Sequence, residues 1–365
     1  MSVLKKNEQR ICMVSDQLSV GGAERYAAFL SQYFEKNNCK VHHIIVLDKI
    51  EYDYAGELLN LGKLKNKSNG FFNKLHRFWT LSRFFANNKF DYIIDFRVKN
   101  KQLQEFFIAK FIYNAPLLVV VQNFDTDLYF PKNKFLAKHI YSHCYKIVTV
   151  SKKIKDRIID RYCYKNIEII YNPLDFNYIE EKANATVALD YKYIIAAGRM
   201  ENNIKQFDQL ILSYSKSILP SRDIKLMLIG DGLLRKGFEG LVKELGIQDK
   251  VLFKGHVSNP FQYYKKAQFL VLSSLNEGLP FVLVESLICG TPLVAFDCNS
   301  GPSEIIIPNE NGILVEDQNF EKLTQAMNTM VEDEKLYNYC KDNAKASASH
   351  FDLEIIGKQW FKVLK

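Results

Sequence analysis

No cysteine pair of the C-x-x-C type occurs among the seven cysteines, which are odd in number and scattered from Cys12 to Cys340. That excludes a disulfide framework as an organising feature and predicts free thiols in a reducing compartment. No uninterrupted apolar run approaches the roughly 18 residues that a membrane-spanning helix needs, and MSVLKKNEQR has no apolar leader segment. The chain therefore reads as neither secreted nor spanning, which argues against an exported two-lobed solute-binding protein. Neither G-x-G-x-x-G nor a Walker loop is present, and this disfavours a nicotinamide-dependent oxidoreductase. Zinc-ligand spacing and RNP-type runs are missing too, so nucleic acid is not an expected partner. There is no internal repeat and no low-complexity segment.

At 365 residues the chain is too long for one ordinary domain and fits two of roughly 170 to 190 residues, with 47% apolar residues to fill two cores. The net charge of +8 is unevenly spread: residues 1–180 hold 28 basic and 18 acidic side chains, whereas residues 181–365 hold 21 and 23. Residues 61–110 alone hold 11 basic against 3 acidic, so one patch accounts for the excess. Within it, residues 70–88 have helical spacing, with Phe71, Leu75, Phe78 and Phe85 along one side, Lys74 and Arg77 off it, and Arg83 further along. The plain reading is an amphipathic helix packed on a sheet with a wet basic face. Six aromatic residues exceed what one buried stripe uses, however, and rings beside cations suit an anionic membrane surface or a phosphorylated lipid.

Apolar runs that read as strands alternate with helical patterns, at 10–15, 41–47, 92–96, 117–121, 146–150 and 167–171, then at 193–198, 225–230, 251–254, 269–273 and 292–295. This predicts an α/β protein with parallel sheets covered on both faces. Residues 175–190 are polar and poorly periodic, and read as a linker. The stretch NEGLPFVLVESLICG, 276–290, follows a buried strand, so a strand delivers a loop that opens a helix. Gly278 allows close backbone approach, Pro280 suits the first helical turn, and the free N–H groups at the helix start favour phosphate. Glu277 and Glu285, a little over two turns apart, are expected to face one ligand. Carboxylates for hydroxyls beside an anion site describe a nucleotide sugar. Arg199 and Lys205, after the strand at 193–198, are placed to neutralise a diphosphate. Each feature alone has an ordinary explanation in helix capping, turns or surface charge.

Together these residues give the chain a resemblance to the family 4 retaining glycosyltransferases of the GT-B fold. Glu277-Gly-Leu-Pro followed by Glu285 matches the E-x7-E signature, and Gly21-Gly22-Ala23-Glu24-Arg25 matches the GGAE(R) junction. Gly198-Arg199-Met200 with Lys205 is similar to G-R-L-x3-K-G, with one extra residue and with Gln206 in the place of glycine. Gly230-Asp231-Gly232 matches G-x-G, and IIYNPLD at 169–175 resembles the hinge motif I-x-N-G-V-D. The resemblance implies two Rossmann-like, doubly wound lobes and a C-terminal helix that crosses back to the first, with Trp360 and Phe361 on that contact. The implied boundaries are 1–172 for the acceptor domain, 173–190 for the hinge, 191–348 for the donor domain and 349–365 for the crossover helix.

For the site, the resemblance implies that Gly21 and Gly22 lie over the donor diphosphate, with Gly230, Gly278 and Leu279 around it and the backbone at Val257 near the base. Arg199 and Lys205 hold the leaving diphosphate, Glu285 the ribose, and Glu277 the sugar hydroxyls or the developing positive charge. Asn123 stands where many members have a histidine, and supplies a hydrogen bond without titrating. Asp125-Thr-Asp127 spells D-x-D, the metal motif of a different glycosyltransferase fold, and reads here as loop chemistry; no metal is implied, since Arg199, Lys205 and the helix N-termini do that work, and no cofactor is expected. The expected reaction moves a sugar, with retention, from a nucleotide-sugar donor to a polyprenyl-diphosphate-linked saccharide on the cytoplasmic face of the membrane, in cell-surface glycan assembly. Lys74, Arg77 and Arg83 are expected near the lipid phosphates. A nucleotide-sugar epimerase and a transferase for another lipid or soluble acceptor are the alternatives.

Overall fold

The structure, a computed structural model, describes residues 8–19, 21–99, 101–142 and 144–365; the expectation of no apolar leader falls in part on residues 1–7, which lie outside the described residues. Strands β1 (Gln9–Ser15), β2 (Cys39–Ile45), β3 (Glu57–Asn60), β4 (Tyr92–Asp95), β5 (Leu117–Val121), β6 (Lys146–Thr149) and β7 (Ile167–Ile169) form one sheet. Its order is β3-β2-β1-β4-β5-β6-β7, and every pairing is parallel. Strands β8 (Tyr193–Ala197), β9 (Lys225–Ile229), β10 (Val251–Gly255), β11 (Leu270–Leu272), β12 (Leu293–Phe296) and β13 (Gly312–Val315) form a second parallel sheet of order β10-β9-β8-β11-β12-β13. Helices cover the faces, which is why β5 and β8 are buried at every position and are apolar at nearly every one. Counted from its own first strand, each sheet has the same order through its sixth strand. The direction of winding reverses between β1 and β4 in one and between β8 and β11 in the other. Loops at the carboxyl ends of those four strands are where open α/β sheets bind ligands.

The chain divides into two compact units, residues 1–173 with 353–365, and residues 174–352. The stretch expected to be an irregular linker contains a helix. Residues Phe176–Ala183 form a helix of the second unit, capped by the Asp175 carboxylate on the Tyr178 N–H (3.0 Å), with Ile179 and Ala183 buried one turn apart. It packs on helix Phe261–Lys266, where the Asn259 side chain donates to the Lys182 carbonyl (2.9 Å) and the Tyr178 and Phe261 rings meet edge to face.

The last helix, Leu353–Val363, belongs to the first unit, as expected. Trp360 is fully buried there, its indole N–H donating to the Tyr26 hydroxyl (2.7 Å), and Phe361 packs against Tyr33 and Phe34 of helix Gly22–Lys36. All seven cysteines are free.

Candidate active site

The loop after β11 runs from Ser273 to Pro280 and opens helix Phe281–Ile288. Pro280 is the residue before the helix, with extended backbone (φ −71°, ψ 107°), rather than part of its first turn. Glu277 therefore sits in the loop, and the two-turn spacing that set it on one helix face with Glu285 does not apply. Glu285 is buried in mid-helix, on a helix whose residues from Leu283 to Ile288 are all buried. Glu277 instead meets Lys205 from the neighbouring strand's loop, Nζ to Oε1 2.5 Å, with both side chains largely shielded from solvent.

Several contacts place Lys205. The Ser273 hydroxyl donates to its carbonyl (2.8 Å), the Leu275 N–H donates to the Ile204 carbonyl (2.8 Å), and its stem crosses Gly198, where a Cβ would stand 2.8 Å from Lys205 Cε. The extra residue between Arg199 and Lys205 is taken up in a 3-10 turn, Asn203–Lys205, capped by the Asn202 side chain on the Ile204 N–H. Gln206 then adopts left-handed backbone, φ 48°, the conformation glycine takes freely, and its amide donates to Gln318 Oε1 (2.9 Å). The substitution leaves the path of the loop that of a glycine. Arg199, at the carboxyl end of β8, is exposed and has no hydrogen bond or ion pair among the described residues.

Two glycines permit the close approaches that shape this edge. At Gly230 (φ 134°) a Cβ would lie 1.9 Å from the Gly198 carbonyl oxygen. Its own N–H donates to the Gly255 carbonyl (2.8 Å), which ties the β9 loop to the β10 loop carrying half-buried Val257. At Gly301 (φ 96°) a Cβ would meet Pro280 Cδ at 2.5 Å and the Gly278 oxygen at 2.7 Å, and the neighbouring Ser300 hydroxyl donates to that same oxygen (2.7 Å). The turn at 300–301 thus braces the Glu277–Pro280 loop, in which the Leu279 side chain is buried. Gly301→Ala forces either the loop or a left-handed alanine to give way, a strain on the order of 1–3 kcal/mol. Donor KM is expected to rise about tenfold, measured by steady-state kinetics at fixed acceptor; an unchanged KM would separate this loop from donor binding.

In the first unit, Gly21 and Gly22 lie at the start of helix Gly22–Lys36, after β1. The Gly21 N–H donates to the Tyr52 hydroxyl (3.2 Å), Arg25 lies over the Tyr52 ring, and Glu24 occupies the first turn, where its charge suits the positive end of the helix. Asn123 accepts from the Asp125 N–H (2.8 Å), and Asp125 caps the following 3-10 turn. Asp127 pairs with Arg161 (2.5 Å) and accepts from the Tyr162 hydroxyl, so D-x-D is engaged in turn and ion-pair chemistry. Among the described residues no group of three or more His, Cys, Asp or Glu is gathered as metal ligands.

A buried charge cluster past β4 escaped the reading of the sequence. Backbone pairing continues beyond the strand, with the Phe96 N–H donating to the Val14 carbonyl (2.8 Å), so Asp95, Arg97 and Lys99 recur at every second position. All three are buried. The Arg97 guanidinium donates to both Asp95 oxygens (3.1 and 2.8 Å) and to both Glu105 oxygens (3.3 and 2.9 Å), while the Tyr113 hydroxyl donates to Asp95 Oδ2 (3.1 Å). The Lys99 ammonium donates to the Arg97 carbonyl (3.1 Å) and stands 3.6 Å from Asp95. Burial pushes the Asp95 acid up, but Arg97 and Lys99 outweigh it and hold the group down to about 2. Asp16, at the end of β1, accepts from the Val98 N–H (3.1 Å) and is raised by burial.

Helix Phe71–Asn87 buries only Leu81 and Phe85. Phe71, Phe72, Leu75 and Trp79 are exposed, so the expected stripe through Phe71 and Leu75 is not the packed side. Arg77 is also not free: its Nη2 donates to the Val46 carbonyl (2.9 Å), fastening the helix beyond the end of β2, and burial lowers its pKa. Lys74 and Arg83 are exposed, with Arg83 5.3 Å from the Trp79 ring centre.

Comparison with known proteins agrees with this arrangement. Residues 178–347 match the family model for glycosyl transferases group 1, and residues 20–178 match that for glycosyltransferase family 4. The N-acetylgalactosamine-N,N'-diacetylbacillosaminyl-diphospho-undecaprenol 4-alpha-N-acetylgalactosaminyltransferase of Campylobacter jejuni is 30% identical over 376 residues, spanning 98% of this chain and 99% of its own. The amylovoran biosynthesis glycosyltransferase AmsD of Erwinia amylovora is 22% identical across 94% of this chain and 96% of its own. Among solved structures, Anabaena HepE in complex with UDP and glucose superposes with a TM-score of 0.78 at 19% identity, covering 98% of this chain and 99% of that one. With two doubly wound parallel sheets, the Lys205–Glu277 pair at the winding reversal of the second, and a full-length relative at this identity, the chain belongs to the family 4 glycosyltransferases of the GT-B fold.

Proposed function

We propose that this glycosyltransferase moves a hexose or N-acetylhexosamine, with retention of configuration, from a UDP-sugar to a saccharide carried on a membrane polyprenyl diphosphate. The observation that carries the donor half is Lys205 held against Glu277 beside an exposed Arg199 that has no partner among the described residues, at the edge of the second sheet. Two cations there stabilise the charge that develops on the diphosphate as the glycosidic C–O bond breaks, and they act without reorganisation because Ser273 and Gly198 hold the lysine in place. Glu277 is left to orient sugar hydroxyls and to offset positive charge at the ring; Glu285 binds the ribose. The acceptor half is supported by the full-length Campylobacter relative, whose name gives transfer onto a diphospho-undecaprenol saccharide, and by exposed rings and cations on helix Phe71–Asn87. Lys74 and Arg83 face the lipid phosphates in this reading. Arg77 is withdrawn from that role by its bond to Val46. In this reading the enzyme works on the cytoplasmic face of the membrane.

One experiment tests both halves. The protein is screened by thermal shift against UDP- and GDP-sugars, where a ligand at 100 times its Kd adds about 2.7 kcal/mol, and the best donor is then incubated with a polyprenyl-diphosphate saccharide in EDTA. Stabilisation by a UDP-sugar and a product with retained anomeric configuration by NMR are expected. An inverted product, or stabilisation by none of the donors, would overturn the proposal.

A further inference from the structure

A second apolar surface lies on helix Gln102–Phe107, on the π-helical turn Ile108–Ile112 that continues it and packs beside helix Phe71–Asn87, and at the start of helix Lys134–Tyr141. Leu103, Phe107 and Phe111 recur at four-residue spacing and are 73%, 49% and 70% exposed; Phe135 is 88% exposed. The segments are neighbours, since Phe106 stacks on His139 (5.7 Å) and meets Phe111 (6.0 Å), while Phe107 meets Phe111 at 5.8 Å. Lys101, Lys132, Lys134 and Lys138 are exposed around the rings. The single carboxylate in residues 101–112 and 132–141, Glu105, is turned inward and buried on Arg97 (2.9 Å). Six residues are too few for a helix to hold its own shape in water. The buried Arg97–Glu105 pair anchors this one to the sheet and leaves its opposite face outward.

We propose that this surface seats its rings at the acyl boundary of an anionic phospholipid bilayer, as a membrane contact distinct from helix Phe71–Asn87. An outward face with rings and cations and no carboxylate complements anionic headgroups. A second copy of the chain would bring the same cations against one another, which disfavours self-association. The inference rests on the reading above that the acceptor is held in a membrane, and it adds a division of labour. Helix Phe71–Asn87 supplies the phosphate-facing cations Lys74 and Arg83 beside its own exposed rings, and the second surface adds apolar insertion of its own.

The test is co-sedimentation with vesicles of phosphatidylethanolamine and phosphatidylglycerol at low and high salt. It compares wild type, the variant Leu103→Ser/Phe107→Ser/Phe111→Ser/Phe135→Ser, and Lys74→Ala/Arg83→Ala. All four apolar positions are exposed, so folding is expected to survive, checked by thermal unfolding and by an unchanged donor-induced shift. Wild type is expected to keep part of its binding at high salt, where charge is screened. The apolar variant is expected to lose at least about tenfold in partitioning at both salt levels, a loss that even one ring's burial can account for. The basic variant is expected to lose only the salt-sensitive part. An apolar variant that partitions like wild type overturns this proposal while leaving the membrane reading in place, and so does one that loses only a concentration-dependent dimer. Wild type that fails to bind vesicles at all overturns both.

Discussion

Replacing Arg199 by alanine is expected to lower kcat/KM by about 100-fold or more, the scale of losing one preorganised donor to a developing anion. Its thermal stability is expected to stay that of wild type. The guanidinium is exposed and has no partner among the described residues, so nothing in the fold depends on it, and surface changes of this kind usually alter stability little. A large kinetic loss without a stability loss is the signature of a residue kept for its substrate. Lys205→Ala is expected to match it in rate but also to lose on the order of 1 kcal/mol of stability, because Glu277, largely shielded, is left without its partner. Arg199→Lys keeps the charge and loses the planar fork, and is expected to fall between wild type and alanine if the diphosphate is gripped by two oxygens at once. Steady-state kinetics over donor concentration and thermal unfolding check all three. An Arg199→Ala enzyme within a few-fold of wild type would remove the proposed leaving-group contact.

Much of the architecture was legible in the sequence, because apolar runs and periodicity report burial directly. Strands β5 and β8 fall on the apolar runs at 117–121 and 193–198, and are apolar at nearly every position because both faces are covered. What was missed is short or nonlocal. The strand β3 sits at a sheet edge with no residue fully buried, so it has no apolar run to announce it. The helix Phe176–Ala183 shows only two buried residues, too few for a period, although Asp175 ahead of it is an ordinary cap.

At the candidate site, residue types were readable and their contacts were not. Lys205 and Glu277 are 72 residues apart, and only the adjacency of β8 and β11 brings them together. The two-turn argument for Glu277 and Glu285 failed for a local reason, since the helix begins one residue after Pro280 rather than before it. On helix Phe71–Asn87 the period was right and the phase was wrong. Aromatic residues lie on more than one side, so periodicity alone does not say which side meets the sheet.

The charge cluster past β4 leads to the other large effect. Arg97→Met is expected to destabilise the protein by about 3–5 kcal/mol at neutral pH, because it leaves the buried carboxylates Asp95 and Glu105 without the cation that both bind. Lys99 cannot replace it: its ammonium already donates to the Arg97 carbonyl and stands 3.6 Å from Asp95. The sign of the pH dependence follows from Asp95. Its acid is held at about 2, below the usual unfolded value of about 3.9, so wild type has this contribution in full above about pH 4 and loses it as pH falls toward about 2. In Arg97→Met the opposing influence, burial, is left to dominate and the penalty lies on the ionised form. The gap between the two proteins is therefore expected to shrink on acidification from pH 7 toward about pH 4, read from urea midpoints at matched slopes. The quadruple variant Asp95→Asn/Arg97→Met/Lys99→Met/Glu105→Gln removes all four buried charges, and is expected to recover part of the loss, since uncharged replacements carry no unpaired buried ion. A gap that is constant with pH, together with a quadruple variant no better than Arg97→Met, would mean that Arg97 contributes through packing of its stem and not through its charge.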